Sequence, residues 1–213
     1  MSKVKQRYIK SENRKWLISY LLLHIVIFAL FAGFISPTFS DVNSLLSKLK
    51  NPQGFLPLIA IIFSIVLEGV LSNPIKEFLV FWRIKNRLPG HRAFSLIGPR
   101  DARVNMAKLK ELYTNGLPSD PKLQNQEWFD LYKKYSNERR VFHSHKAFLL
   151  TRDLTALTAA VIPLSFIGHI IAGTQWSTIG YHLLFLMAML IMISLSSRNY
   201  GKRFVANVLV EAI

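Results

Sequence analysis

Four runs of apolar residues punctuate the chain: Trp16 to Ile35, Phe55 to Ser72, Leu154 to Gly173 and Ser177 to Ser197. Each is close to the roughly 20 residues that a helix rising about 1.5 Å per residue needs to cross bilayer hydrocarbon. Between the second and third runs the apolar positions thin out and take a helical period. After Asn73-Pro74 the pattern resumes as Phe78, Leu79, Phe81 and Trp82. This predicts a helix that kinks at the proline and leaves the membrane, with Trp82 and Arg83 in the headgroup layer.

The stretch Arg87-Leu88-Pro89-Gly90-His91-Arg92 carries a Pro-Gly turn signal between cations. Such a turn ends the helix and presents backbone amides beside positive charge, a setting suited to a phosphate. Asp101 reads as an N-cap, followed by Ala102, Met106, Leu109 and Tyr113 on one face and by Asn115-Gly116 as the stop. Asp120-Pro121 repeats the device, a cap and then proline at the first helical position, with Trp128, Leu131, Tyr132 and Tyr135 at i, i+3, i+4 and i+7. Asp130 and Lys134 are placed for an i,i+4 ion pair of about 0.3 kcal/mol. No Pro or Gly intervenes between Asn137 and Pro163, so one helix is expected to run through Arg152-Asp153 into the third apolar run.

These elements predict an all-α protein: a four-helix transmembrane bundle with a helical insertion between the second and third spans. The divisions are residues 1–74, an N-terminal tail and the first hairpin; 75–153, the basic insertion; and 154–213, the second hairpin and the tail. Two apolar helix faces make only a small core for the insertion, to be completed by helical extensions of the spans or by a second protomer. The sequence has no strand-period runs, no Gly-rich phosphate loop and no internal repeat.

Charge orients this picture. Of the 27 Lys and Arg residues, six precede Trp16, 16 lie between Ile75 and Asp153, and three follow Ser197, whereas Ser36 to Gly54 holds two. Positive residues stay on the cytoplasmic side, so both termini and the insertion of this multi-pass membrane protein are expected in the cytoplasm. A cleaved signal peptide is the competing reading of the basic start and first run. That run is too long, and no small-residue cleavage pattern follows Ile35. The net charge of +15 is what a protein beside anionic lipid carries, not in itself a nucleic-acid signature. With no cysteine in the sequence, disulfides, cysteine nucleophiles and thiolate metal sites are excluded.

Several polar residues are candidates for chemistry. Glu68 stands about one turn from the cytoplasmic end of the second span, at a depth where an ionisable group is costly; the plain alternative is a snorkelling or hydrogen-bonded carboxyl. His24, near the middle of the first span, is expected at a similar depth, and a Glu-His pair there would gate water or ions; a packed histidine is the plain alternative. His169 and His182 flank the outer hairpin and are placed to approach each other, but without a third ligand they make a poor metal site, and no metal or other cofactor is expected. The cations Arg83, Lys85, Arg87, Arg92, Arg100, Arg103, Lys108 and Lys110, with His91, would grip lipid headgroups, nucleic-acid phosphates or an anionic nucleotide. Of these, Arg87, His91, Arg92, Arg100, Arg103, Lys108 and Lys110 are the candidate ligand- or partner-binding set. Trp128, Tyr132 and Tyr135 could stack on bases, although their spacing fits a core face better.

Arg140, four residues and then His145 form an R-x4-H pattern that resembles the active site of HEPN-type helical ribonucleases; Arg139 fits with five intervening residues. The resemblance implies Arg and His acting on a ribose-phosphate backbone from paired helices. No Ser-His-Asp order, HExxH, paired-carboxylate or Walker motif occurs, so the expectation is a protein that is not an enzyme. Four short spans also lack the duplicated halves of ordinary secondary transporters.

The layout of paired spans around a basic helical insertion resembles the small four-span membrane effectors of bacterial anti-phage systems of the retron and nucleotide-signalling types. The phrases Arg87-Leu88-Pro89-Gly90-His91-Arg92-Ala93-Phe94 and Leu149-Leu150-Thr151-Arg152-Asp153-Leu154 accompany this layout. The resemblance implies a toxin-like protein that perturbs the inner membrane when a trigger reaches its basic insertion. The partners then expected are membrane lipids, further copies of the chain, and a nucleic acid, cyclic nucleotide or nucleoprotein at the insertion. The alternative is an adaptor that recruits an acidic protein or nucleic acid to the inner leaflet without a pore; a second alternative is the ribonuclease.

Overall fold

In the structure, a computed structural model, residues 3–34, 71–114 and 116–213 are described. Among them the chain is helical throughout: α1 Lys3–Phe31, α2 Asn73–Phe81, α3 Gly98–Arg100, α4 Met106–Glu111, α5 Pro121–Tyr135, α6 Arg139–Ile171 and α7 Trp176–Glu211. A 3-10 turn, Pro89–Arg92, and a π turn, Ala93–Ile97, lead into α3. Among the described residues three helices are long and apolar enough to cross a membrane: Glu12–Phe31 within α1, α6 and α7. The second apolar run, up to Val70, and Glu68 within it lie outside the described residues.

α6 and α7 form a long antiparallel hairpin of 33 and 36 residues. Its turn closes at Gly173, whose φ of +65° favours a residue without a Cβ. The single helix expected across Arg152-Asp153 is present. It continues past Pro163 to Ile171, although a proline in a helix interior removes one backbone donor. α1 packs along α6 and α7 around Leu21, Val161 and Leu186.

The insertion's core is completed by the extension of α7. Val80, Phe94, Leu109, Trp128 and Val141 from the insertion meet Phe204, Val205, Val208 and Leu209. Of the two completions expected from sequence, helical extensions of the spans thus supply the missing apolar surface. The Trp128 indole donates to the Val205 carbonyl at 3.3 Å, and its ring lies edge-on to Phe204. Trp128 and Tyr132 are buried core residues.

α2 begins at Asn73, with Pro74 in its first turn, and ends where Trp82 turns left-handed at φ 51°. Its terminal carbonyls are met from α7. The Ser194 hydroxyl donates to Leu79 and Val80 at 3.0 and 3.1 Å, and Arg198 donates to Val80 while lying 3.6 Å over the Trp82 ring. This satisfies groups a helix terminus otherwise leaves unpaired.

Two local expectations are corrected. Asp101 does not cap a helix. Its carboxylate accepts from the backbone and guanidinium of Arg103, a local turn that competes with helix formation. The cap is Asn105, whose side chain accepts from Ala107 and Lys108 at 3.1 and 3.2 Å, and the helix it starts ends at Glu111, before Tyr113. Asp130 pairs with Lys133 at i+3, whereas Lys134 lies over the Tyr135 ring. Asp120, by contrast, caps α5 as expected, accepting from Lys122 and Leu123 at 2.9 and 3.0 Å.

Candidate functional site

The sequence-predicted cations divide into two groups. Arg87 donates to the Arg83 carbonyl at 3.1 Å, Arg92 to the Asn86 carbonyl at 3.3 Å, and His91 to the Leu88 carbonyl at 3.2 Å, so these three brace their own turn. Burial, then the Arg83 charge, lowers the Arg92 pKa from its ordinary value; burial likewise lowers that of His91. Lys108 and Lys110 are exposed on α4. Of the candidate set, Arg100 and Arg103 line a cavity.

That cavity, about 650 Å³, lies between the Leu96–Arg103 segment and the far end of α7, with Lys202, Arg203 and Ala206 as its other wall. Four cations therefore face one carboxylate, Asp101. The Asp101 carboxylate accepts from Arg103 Nε at 2.9 Å and Nη2 at 2.8 Å. That bidentate contact holds the Asp101 carboxyl below its usual range and raises the guanidinium. Arg100, Lys202 and Arg203 make no ion pair among the described residues. Unneutralised cations on a concave surface with an apolar floor of Leu96, Ile97 and Ala206 suit a phosphate-bearing ligand. Lys202 and Arg203 entered the sequence reading only as positives of the tail; nothing short of the fold brings them to Arg100.

Packing explains the wall. Gln124, 1% exposed, accepts from the Phe94 and Ser95 amides at 3.2 and 3.1 Å and from the Ser95 hydroxyl at 3.0 Å. It donates in turn to the Ser119 carbonyl at 2.9 Å. One side chain thereby ties the π turn to α5. At Gly98 a Cβ would sit 3.1 Å from the Ala93 carbonyl and 3.2 Å from Leu209, so the turn closes on α7 only without a side chain there.

The second polar feature lies inside the helical hairpin. Buried Thr155, Thr158, Ser165 and His169 follow one face of α6, joined by His182 of α7 and His24 of α1. Tyr20 donates to the Thr158 hydroxyl at 2.7 Å, and its ring meets His24 at 4.4 Å. His169 Nε2 and His182 Nδ1 are 2.7 Å apart, and His169 Nδ1 is 3.1 Å from the Thr174 hydroxyl. The expected approach of the two histidines is present, and no group of three or more metal-ligating side chains forms among the described residues. His24 is buried, and neither of its ring nitrogens nor His182 Nε2 has a hydrogen-bond partner among the described residues. Outward positions on the same helices are apolar: Val26, Leu30, Ile167, Ile171, Leu184 and Ile191 are exposed. The expected His24–Glu68 pair lies outside what is described; the neighbours seen at His24 are Tyr20 and, through the Phe28 and Phe31 rings of α1, the histidine pair.

Where α6 becomes apolar, Asp153 Oδ1 accepts from Lys76 at 3.3 Å and from Arg152 at 3.3 and 3.2 Å, all three buried. Burial raises the Glu77 carboxyl nearby, opposed by Arg152 and Arg87.

The R-x4-H pair shares no open site. Arg140 pairs with Glu211 at 3.3 Å, whereas His145, roughly 140° around the helix, stacks on Phe204 and shares a hydrogen bond of 3.0 Å between its Nδ1 and the Tyr132 hydroxyl. Burial, then Arg152, lowers the His145 pKa to about 4, and burial raises Tyr132 to about 12.

Comparison with protein-family models, with curated proteins and with solved structures found no match to this chain.

Proposed function

We propose that the chain threads a bacterial inner membrane four times, with its basic insertion in the cytoplasm, and works as a triggered membrane effector. An anionic trigger enters the pocket of Arg100, Arg103, Lys202 and Arg203, and the response is a change in membrane permeability. The observation that carries this reading is α7. One continuous helix places Lys202 and Arg203 in the pocket wall and His182 in the polar interior, about 30 Å away along its axis. A helix shared by both sites is a physical means of coupling them. Polar groups inside and apolar groups outside are the arrangement a membrane-spanning bundle requires when its interior handles water or ions. The anti-phage setting rests on the resemblance in layout.

Topology is tested with single cysteines, since the natural sequence has none. Ser119→Cys should react with an impermeant maleimide only from the cytoplasmic side, and Gln175→Cys only from outside. Function is tested by expressing the full chain in bacteria loaded with a potential-sensitive dye. Depolarisation is expected, and the triple reversal R100E/K202E/R203E should abolish it. An unchanged potential under every expression condition refutes the effector. Loss of an acidic binding partner in the triple variant, with no depolarisation by the natural protein, would favour the adaptor.

A further inference from the structure

The buried histidines have a chemistry that membrane packing alone does not call for. His169 is fully buried, as is His182, and a polar group in an apolar interior is costly unless paired. Pairing accounts for three of their four nitrogens: Thr174 Oγ1 to His169 Nδ1, and His169 Nε2 to His182 Nδ1. The fourth, His182 Nε2, has no partner among the described residues, nor have the two nitrogens of His24, which lies on the α1 face that presents Phe28 and Phe31 to the pair. The polar chain therefore begins at the hairpin turn, passes through two imidazoles at hydrogen-bond distance and ends on orphaned nitrogens inside the bundle.

We infer that Thr174, His169, His182 and His24 form an intramembrane proton relay, and that the ion passed by this protein is H⁺. The inference rests on the effector reading and names its permeant. In the starting state Thr174 donates to His169 Nδ1, His169 Nε2–H donates to His182 Nδ1, and His182 holds its proton on Nε2. The Thr174 oxygen takes a proton from outside water as its own passes to His169 Nδ1. The shared proton then crosses from His169 Nε2 to His182 Nδ1, and His182 releases its Nε2 proton to water in the bundle, from which a His24 nitrogen takes it and returns it to water on the cytoplasmic side. One proton enters and one leaves. Both rings end neutral, now protonated on Nδ1, and a tethered imidazole cannot exchange its two nitrogens while the contact holds. The reset requires the pair to part, so that each ring loses its Nδ1 proton to water and regains one at Nε2. Each turnover thus needs one opening of the pair, which predicts a slow, proton-selective flux rather than a wide aqueous pore.

The experiment uses the full chain in vesicles of phosphatidylcholine and phosphatidylglycerol with trapped pyranine, a valinomycin-clamped potassium potential and inorganic pyrophosphate as the probe for the basic pocket. Wild-type vesicles should acidify or alkalinise with the sign of the potential, while trapped carboxyfluorescein stays inside. H182Q should lower the proton flux at least tenfold, because an amide does not pass a proton from one atom to another. T174V, at the half-exposed turn rather than within the bundle interior, should lower it several-fold and guards against misfolding of the first variant. Undiminished flux in both variants overturns the relay and leaves the effector standing. Release of carboxyfluorescein at a rate matching proton flux also overturns it, in favour of a pore. Absence of any flux, of protons or dye, overturns both.

Discussion

Replacing Gln124 with leucine tests whether one buried amide holds the pocket wall in place. The change to a shorter, apolar side chain removes the acceptor for the Phe94 and Ser95 amides and for the Ser95 hydroxyl, and the donor to the Ser119 carbonyl. Ser95 is exposed, so its hydroxyl and amide recover water contacts. The Phe94 amide and the site of Gln124 itself are buried. Leaving a buried backbone group unsatisfied costs about 1–3 kcal/mol, and each bond lost to solvent about 1 kcal/mol net. The sum of the buried amide and the three bonds lost to solvent is about 4–6 kcal/mol, or a fall in Tm of roughly 8–24 °C for a chain of this size. Differential scanning fluorimetry of the detergent-solubilised chain measures it, with Leu123→Ala, at an exposed position of the same helix, as the control expected to stay within about 0.5 kcal/mol. Hydrogen exchange gives the local readout: the Phe94 and Ser95 amides should lose protection, and pyrophosphate affinity should fall with them. A Q124L protein with an unchanged Tm and protected amides would refute the assigned role of this side chain.

Three further outcomes follow from other contacts. Below pH 6.5 the unfolded chain protonates His145, while the folded chain holds it neutral down to about 4. The unfolded state then binds more protons, so stability falls as pH drops through that window; H145Q should show a shallower fall in chemical denaturation. Gly90→Ala would place a Cβ 2.8 Å from the buried Trp128 ring and 2.4 Å from Asn125. It should destabilise by about 1–3 kcal/mol by overpacking, measured by thermal unfolding. Arg198→Ala removes the donor to the Val80 carbonyl and the cation over Trp82. Trp82 emission should shift and α2 amides exchange faster, whereas R198K should restore little because a lysine ammonium has no planar face to stack on the indole.

The pattern of apolar runs was enough to determine an all-helical chain with long apolar spans, the single rod through Arg152-Asp153 and the Asp120-Pro121 start of α5. Those features depend on local periodicity, chain stiffness and caps, which neighbouring residues decide among themselves. The burial of Trp128 and Tyr132 was legible for the same reason. Asp101 misled because its carboxylate has two local uses, capping a helix or closing a turn on Arg103. The candidate cations were recognisable as a class but not as a site. Arg87, His91 and Arg92 spend their donors on their own turn, while the pocket joins Arg100 and Arg103 to Lys202 and Arg203 about 100 residues later. His169 and His182 were placed to meet by the hairpin, but their 2.7 Å contact, the alignment of His24 and the unpaired nitrogens depend on helix rotation. Rotation is set by packing over three helices at once. No stretch of sequence shorter than the assembled bundle contains that information.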